Sequence, residues 1–305
     1  MAPANDDDAP DRRGVDWYVD KIMASLIFVA GVSAIILIVG IFVFITKEGF
    51  SFIFDAFDFG EFFGSPAWRP TSEEPQYGAL ALIAGTASVT GLAMVTAVPF
   101  SLGAAIYIAE FASGNTREWL KVLIELLAAI PSVVWGFIGL SVLNPLIIEW
   151  FDVPVGLGIL NAGVILGLMA APIMTTIAED ALRAVPDSYR EAAEAMGATR
   201  WQVTWKVVLP GAKNGLMAAI LLGVGRGFGE TMAVLMASGH AVQLPGGIFD
   251  SVRALTATIA AELGETAVGS EHYQALVTLG ILLFVVTFAI NLTADLVIRG
   301  VSTKK

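Results

Sequence analysis

One cation in this chain stands where a cation is costly. Residues 220–234 read ILLGVGRGFGETMAV, and Arg226 and Glu230 lie four positions apart in an apolar run long enough to cross a bilayer. That spacing puts both side chains on one helix face near mid-depth. An ionised group at that depth costs several kcal/mol unless it faces protein or water, so the pair marks a pathway by default. A guanidinium offers a planar fork of donors that suits a tetrahedral oxyanion. A carboxylate beside it can accept a hydrogen bond only from an anion that still carries a proton. The chemistry on offer is recognition and passage, not bond making. Gly223, Gly225, Gly227 and Gly229 strip bulk from the same run, so another helix or a ligand can come close. The competing reading is an intrahelical Arg–Glu pair that only holds a bundle together. Arg before Glu is the weaker order for such a pair, and burying it is a poor way to stabilise anything.

Bond-making chemistry has little support elsewhere. The chain has no cysteine, which excludes thiol nucleophiles, disulfides and thiolate metal sites. His240 and His272 have no ligand-spaced partner, so no metal is expected. No Gly-Lys pair occurs and hence no Walker A loop; a His-Glu-x-x-His motif and paired intramembrane aspartates are missing too. No catalytic residue and no cofactor are expected in this chain.

The elements that must position Arg226 follow from composition. With 56% hydrophobic residues, 15% charged residues and a mean hydropathy of +0.75, the chain exceeds what a soluble core of 305 residues needs. It reads as an all-α, six-span membrane protein, with spans near 22–45, 79–108, 122–148, 155–178, 214–237 and 274–298. The transmembrane domain occupies 21–300 and includes a polar loop at 179–213. Residues 1–20 read as a disordered acidic tail and 301–305 as a short second tail. The polar but aromatic stretch 46–77, with Phe50, Phe62, Phe63 and Trp68 among acids, reads as interfacial anchoring.

Basic residues set the orientation. Of seventeen, thirteen fall on one side: Arg12, Arg13, Lys21, Arg117, Lys121, Arg183, Arg190, Arg200, Lys206, Lys213, Arg299, Lys304 and Lys305. Only Lys47, Arg69 and Arg253 fall on the other, so both termini and the 179–213 loop are expected to be cytoplasmic. The outer loops are acidic, with Glu73, Glu74, Asp250 and Glu262 among others, and the net charge of −11 opposes nucleic-acid binding. An anion meeting that face unaided would be repelled, so delivery by a carrier protein makes physical sense.

The polar loop has its own grammar. Ser188 and Glu191 have the spacing of a capping box, which predicts a helix start there. The helix runs through Ala192, Ala193 and Met196 to Gly197, which can take the left-handed conformation that ends it. A second helix is expected from Thr199 as cap, carrying Trp201, Trp205 and Val208 until Pro210 interrupts the pattern. Glu191-Ala192-Ala193, Gly197, Val207, Leu209 and Pro210 together resemble the Glu-Ala-Ala loop of ABC-importer permeases. Val207 stands where that family more often has Ile. The resemblance implies that the short helix docks in a groove of a separate ATPase subunit, with Glu191, Ala192, Ala193, Gly197, Leu209 and Pro210 serving coupling. An ordinary cytoplasmic helical hairpin is the plainer alternative.

The intramembrane run sharpens this likeness. Gly225-Arg226 followed by Gly229-Glu230-Thr231-Met232-Ala233-Val234 is similar to PstC-type phosphate permeases, supported by Pro131-Ser132-Val133-Val134-Trp135-Gly136, Tyr77-Gly78 and Asn291-Leu292. The resemblance covers residues 17–300 and implies a type I ABC importer permease fold. It also implies a substrate pathway through Arg226, Glu230 and Thr231, with inorganic phosphate as substrate. The partners so implied are a PstA-type second permease, two ATPase copies holding ATP and magnesium, and an external phosphate-binding protein. The alternatives are a permease for molybdate or sulfate, and a passive anion channel, which would have no use for an ATPase dock.

Overall fold

The computed structural model describes residues 15–55 and 58–302. Helix α1 (Val15–Asp55) and the short α2 (Phe59–Gly64) precede a two-stranded hairpin, β1 (Trp68–Arg69) and β2 (Gln76–Tyr77), with Trp68 opposite Tyr77. Then come α3 (Leu80–Ile106), α4 (Gly114–Ala128), α5 (Ser132–Ile138), α6 (Asn144–Phe151), α7 (Ile159–Arg183) and α8 (Asp187–Ala195). The chain closes with α9 (Arg200–Val203), α10 (Leu209–Gly229), α11 (Met232–Ala237), α12 (Leu255–Glu262) and α13 (Glu271–Ser302). Among the described residues six helical segments are long and apolar enough to cross a membrane: Trp17–Gly49, Leu80–Phe111, Ser132–Phe151, Ile159–Arg183, Arg200–Gly229 and Glu271–Thr293.

Small residues decide which of these helices touch. Gly163 and Gly167 of α7 lie directly against Leu92 and Thr96 of α3, where a Cβ would have no room. This close approach makes α3 and α7 the spine of the bundle. Around it Val89, Ala93, Ile165, Leu166, Ala233, Val234 and Ala257 form the main core. At one end of the spine Ala178, Leu182, Val203, Val208 and Ala212 form a second cluster under α8. At the other, Phe62, Trp68, Leu82, Leu255 and Leu276 form a third. Long helix α1 packs along α13 but buries almost nothing.

Several boundaries differ from the sequence expectation, each for a local reason. The disordered tail was placed at 1–20, but α1 begins at Val15, with Lys21 Nζ 4.9 Å from the centre of the Trp17 ring. Residues 1–14 lie outside the described part. The expected third span, 122–148, is two pieces: α4 is amphipathic and buries no residue, the chain breaks at Pro131, and the crossing begins at Ser132. The fifth span was expected at 214–237, yet its helix starts at Arg200 and stops at Gly229. Phe62 and Trp68 are buried rather than interfacial, whereas Phe59 and Phe63 are exposed.

Pro210 does not end a helix. Residues Thr204–Val208 form a π-helical turn in which the Leu209 N–H reaches back five residues to the Thr204 carbonyl, and Pro210 then occupies the first turn of α10. A proline is tolerated there because no hydrogen bond needs its missing N–H. The widened turn lets one helical rod run from the polar loop into the bundle.

Candidate functional site

The organising feature of the intramembrane site is a break. Helix α10 ends at Gly229, Glu230 is extended at φ −72° and ψ 133°, and α11 starts only at Met232. The break is held by a hydrogen bond across the fold, since Thr256 Oγ1 donates to the Glu230 carbonyl at 2.7 Å. Thr231 Oγ1 turns back to the Gly229 carbonyl at 3.4 Å, and Glu230 Oε1 accepts from the Ala233 N–H at 3.4 Å. Glu230 therefore does not lie one helical turn beyond Arg226 on a shared face, as the spacing predicted. The helix on which that inference depended has already ended. No ion pair joins the two, which removes the intrahelical-pair alternative.

Arg226 occupies the last turn of α10 and is exposed on the flank of the lone chain. Among the described residues no carboxylate pairs with it. The four glycines divide by role. Gly223 abuts Met174 of α7, and Gly227 would place a Cβ 2.9 Å from Thr90 Cγ2 of α3, so this pair seats α10 on the spine. At Gly225 the nearest atom to a Cβ would be Asn291 Oδ1 at 3.4 Å, and around Gly229 there is open space. Open space thus lies on the Gly229 side, close to a guanidinium with no carboxylate partner among the described residues. Such a group supplies charge-assisted donors to an oxyanion without first having to leave a partner.

At the far end of α7 the polar loop folds into the helix, turn and helix expected of it, with one correction. Ser188 does not cap α8: Pro186 precedes it in extended conformation, Asp187 provides the acidic first turn, and no side chain makes a cap bond. Proline fixes φ just ahead of a helix, and an acid at the N-terminus suits the helix dipole, so the start moves ahead of the serine. Gly197 has φ +82°, as a left-handed helix end requires. Thr199 does cap α9, and Gln202 completes the reciprocal box by accepting the Thr199 N–H at 2.9 Å. Ala193, Ala198 and Leu209 pack onto the second core cluster. Glu191, Ala192, Gly197 and Pro210 face outward. Beside them Met196 is 88% exposed and Tyr189 60% exposed, an apolar surface that this chain leaves uncovered.

Three clusters escaped sequence reasoning because each includes a partner far away in the chain: Glu110 for Arg190, Lys121 for Glu179 and Trp68 for Glu262. Arg190 pairs with Glu110 at 2.9 Å. Glu179, its side chain only 4% exposed, takes Lys121 and Arg183, both at 2.8 Å. At the opposite end Glu262 accepts from Trp68 Nε1 at 2.8 Å and Arg253 Nη1 at 2.6 Å, and contacts His272 Nε2 at 2.9 Å. The available signal was a lone acid at the end of an apolar span at Glu110. Burial pushes the His240 imidazole below its ordinary pKa, with the Arg253 charge adding to the effect and Glu262 opposing it.

With this geometry established, comparison with known proteins is informative. Residues 97–303 match the family model described as binding-protein-dependent transport system inner membrane component. The probable ABC transporter permease protein YqgH of Bacillus subtilis is 38% identical over 274 residues, 88% of each chain. The phosphate transport system permease protein PstC of Pasteurella multocida is 37% identical over 257 residues, 78% of this chain and 79% of the relative. That of Mesorhizobium japonicum is 37% identical over 284 residues, 87% and 83% of the two chains. Among solved structures, a bacterial alginate ABC transporter in complex with alginate pentasaccharide-bound periplasmic protein superposes with TM-score 0.62 at 17% identity, covering 94% of this chain and 97% of the other. The inward-facing MetNI methionine ABC transporter gives 0.52 at 23% identity, covering 73% and 94%. These likenesses fit the six apolar helices, the break after Arg226 and the projecting α8, and the chain belongs to the family of binding-protein-dependent transport system inner membrane components, as a multi-pass protein of the cell membrane.

Proposed function

We propose that this chain is one of two permease subunits of an ATP-driven importer of inorganic phosphate. The observation that carries the reading is Arg226, a guanidinium with no counter-ion among the described residues, placed where the fifth span breaks and near the open space at Gly229. The names of the PstC relatives support phosphate as the anion. The second permease is a PstA-type subunit seated against the exposed Arg226 flank. An ATPase dimer, which holds ATP and magnesium, docks on Glu191, Ala192, Ala193, Gly197, Leu209 and Pro210. An external phosphate-binding protein delivers the anion past the acidic loops. Both termini lie on the cytoplasmic side with α8. In this arrangement Arg226, Glu230 and Thr231 line the passage. Arg226 compensates charge in transit without binding tightly, because a passage site must also release.

The experiment is ATP-dependent uptake of radiolabelled phosphate by proteoliposomes holding the complex, with sulfate and molybdate as competitors. Uptake that needs ATP and binding protein, and that excess sulfate does not suppress, is the expected result. Equal suppression by sulfate or molybdate would favour the other oxyanions, and uptake without the ATPase would make the chain a channel.

A further inference from the structure

The helix that projects from the bundle packs on it through Ala193 and is also tied to it by a charged side chain. Arg190 lies in α8 beside the outward-facing Glu191, but it points inward, with only 18% of its side chain exposed. Its Nη2 donates to Glu110 Oε1 and to the Leu182 carbonyl, both at 2.9 Å. Its Nη1 donates to the Val185 carbonyl and to Asp187 Oδ1. One guanidinium therefore joins three elements: α8, the C-terminal end of α7, and the end of the second span.

Glu110 sits in the π-helical turn Tyr107–Phe111 that closes α3, and its side chain is 11% exposed. The same turn is braced from α4, where Arg117 Nε and Nη2 donate to the Ile108 and Ala109 carbonyls at 3.0 and 3.1 Å. From there α3 runs the length of the bundle. Thr90 lies against Gly227, one residue past Arg226, and Gly85 lies against the Arg253 carbonyl near the far end. The covalent route from α8 to Arg226 is softer, since it passes the left-handed turn at Gly197.

We propose that Arg190 and Glu110 are the positioning pair through which displacement of α8 drives α3, and that α3 carries it to the Arg226 site at Thr90–Gly227. A charge-assisted guanidinium hub with four acceptors resists shear better than a glycine turn. Helix α3, which carries Pro99 between the two contacts, links the hub at its end to the Thr90–Gly227 contact. The inference rests on the reading of α8 as an ATPase dock and adds which side chains carry the force inward.

The test uses the complete complex in proteoliposomes and reads phosphate moved per ATP hydrolysed. Because the chain has no cysteine, spin labels at Glu194→Cys on α8 and Ser113→Cys at the end of α3 report whether the two move together. In the wild type the label distance is expected to hold through nucleotide binding. Glu110→Gln keeps the shape and removes the charge. It should assemble and hydrolyse ATP while transport per ATP falls roughly tenfold, the scale of an ordinary coupling between sites. The label distance should change as the pair uncouples, and adding Arg190→Gln should cause little further loss. A transport ratio close to wild type, or independent multiplication of the two substitutions, overturns the proposal. If Glu110→Gln does not assemble, Glu110→Asp, which retracts the charge by one methylene, is read by the same ratio and the same distances. The wild-type uptake is measured first. If it moves no phosphate the substrate reading fails, while the label distances, which need no substrate, still decide the mechanical one.

Discussion

At residue 226 a positive charge stands without a counter-ion among the described residues, and Glu230 is held in place by its backbone, through Thr256, more firmly than by its carboxylate. Phosphate near neutral pH keeps at least one proton and sulfate keeps none, so an ionised Glu230 can accept a hydrogen bond from the first and only repel the second. Arg226→Gln should reduce phosphate uptake at least about tenfold, since a hydrogen bond to a charged group is worth ~1.5–3 kcal/mol. Glu230→Gln should impair uptake while raising sulfate leakage relative to phosphate in reconstituted vesicles. Loss of both anions in proportion would reduce Glu230 to a brace for α11. Gly197 allows a cleaner separation of causes, because a side chain there would meet nothing within 4 Å and only the φ of +82° is demanding. Asn and Asp tolerate that conformation better than other residues. Gly197→Asn should therefore transport, whereas Gly197→Asp should assemble with the second permease and fail to transport, because it adds a charge to the proposed ATPase dock. Normal transport by the Asp variant would remove that coupling role.

Among the elements, α9 shows the clearest local logic. Thr199→Ala removes one half of a reciprocal cap and should cost ~1 kcal/mol of local stability, seen as faster amide exchange in residues 200–204. At the opposite end the segment between α11 and α12 responds to acid. His240 sits at φ +57°, its Nδ1 is buried without a hydrogen-bond partner, and its carbonyl accepts from Arg253 Nε. Its folded pKa lies below the unfolded value of about 6.5. The unfolded state thus binds the proton more readily, and stability is complete above that value and falls as pH drops through the folded one. Protection against amide exchange over residues 239–253, taken relative to the intrinsic exchange rate at each pH, should fall as pH drops below about 6.5, and His240→Asn, which suits the backbone, should flatten the response. How far such features can be read from residue order depends on the range of the force that makes them. Gly197 and Thr199 were legible because a helix end is built from its own neighbours. The start at Asp187 was misplaced by one such rule competing with another, a proline ahead of a serine. The break at Glu230 was not legible at all, since the hydroxyl that holds it comes from Thr256, and neither was Glu262, whose three partners come from distant parts of the chain.

For the whole molecule, the spine of α3 and α7 divides the work between two ends. The end bearing α8 offers Met196 and Tyr189 to another protein, and the end bearing Glu262 is knotted together by Trp68, Arg253 and His272. Glu262→Gln should loosen that far end, since it weakens several contacts at once, and should lower the melting temperature of the complex without changing transport per ATP. A drop in that ratio would show that the far end also belongs to the drive train. The exposed flank at Arg226 has a different consequence, for the life of the chain before it meets its partner. If the second permease covers Arg226, a newly inserted copy holds that charge unshielded in the bilayer, a state disfavoured by several kcal/mol, while its long α1 packs mainly on α13. Orphan copies should therefore be short-lived. In a pulse-chase experiment the chain expressed alone should decay several times faster than with its second permease, and Arg226→Leu should prolong the orphan's lifetime while abolishing uptake by the assembled pair. On the proposed reading, the guanidinium that lets an anion through then also serves as a proofreading mark, erased only when the right neighbour covers it.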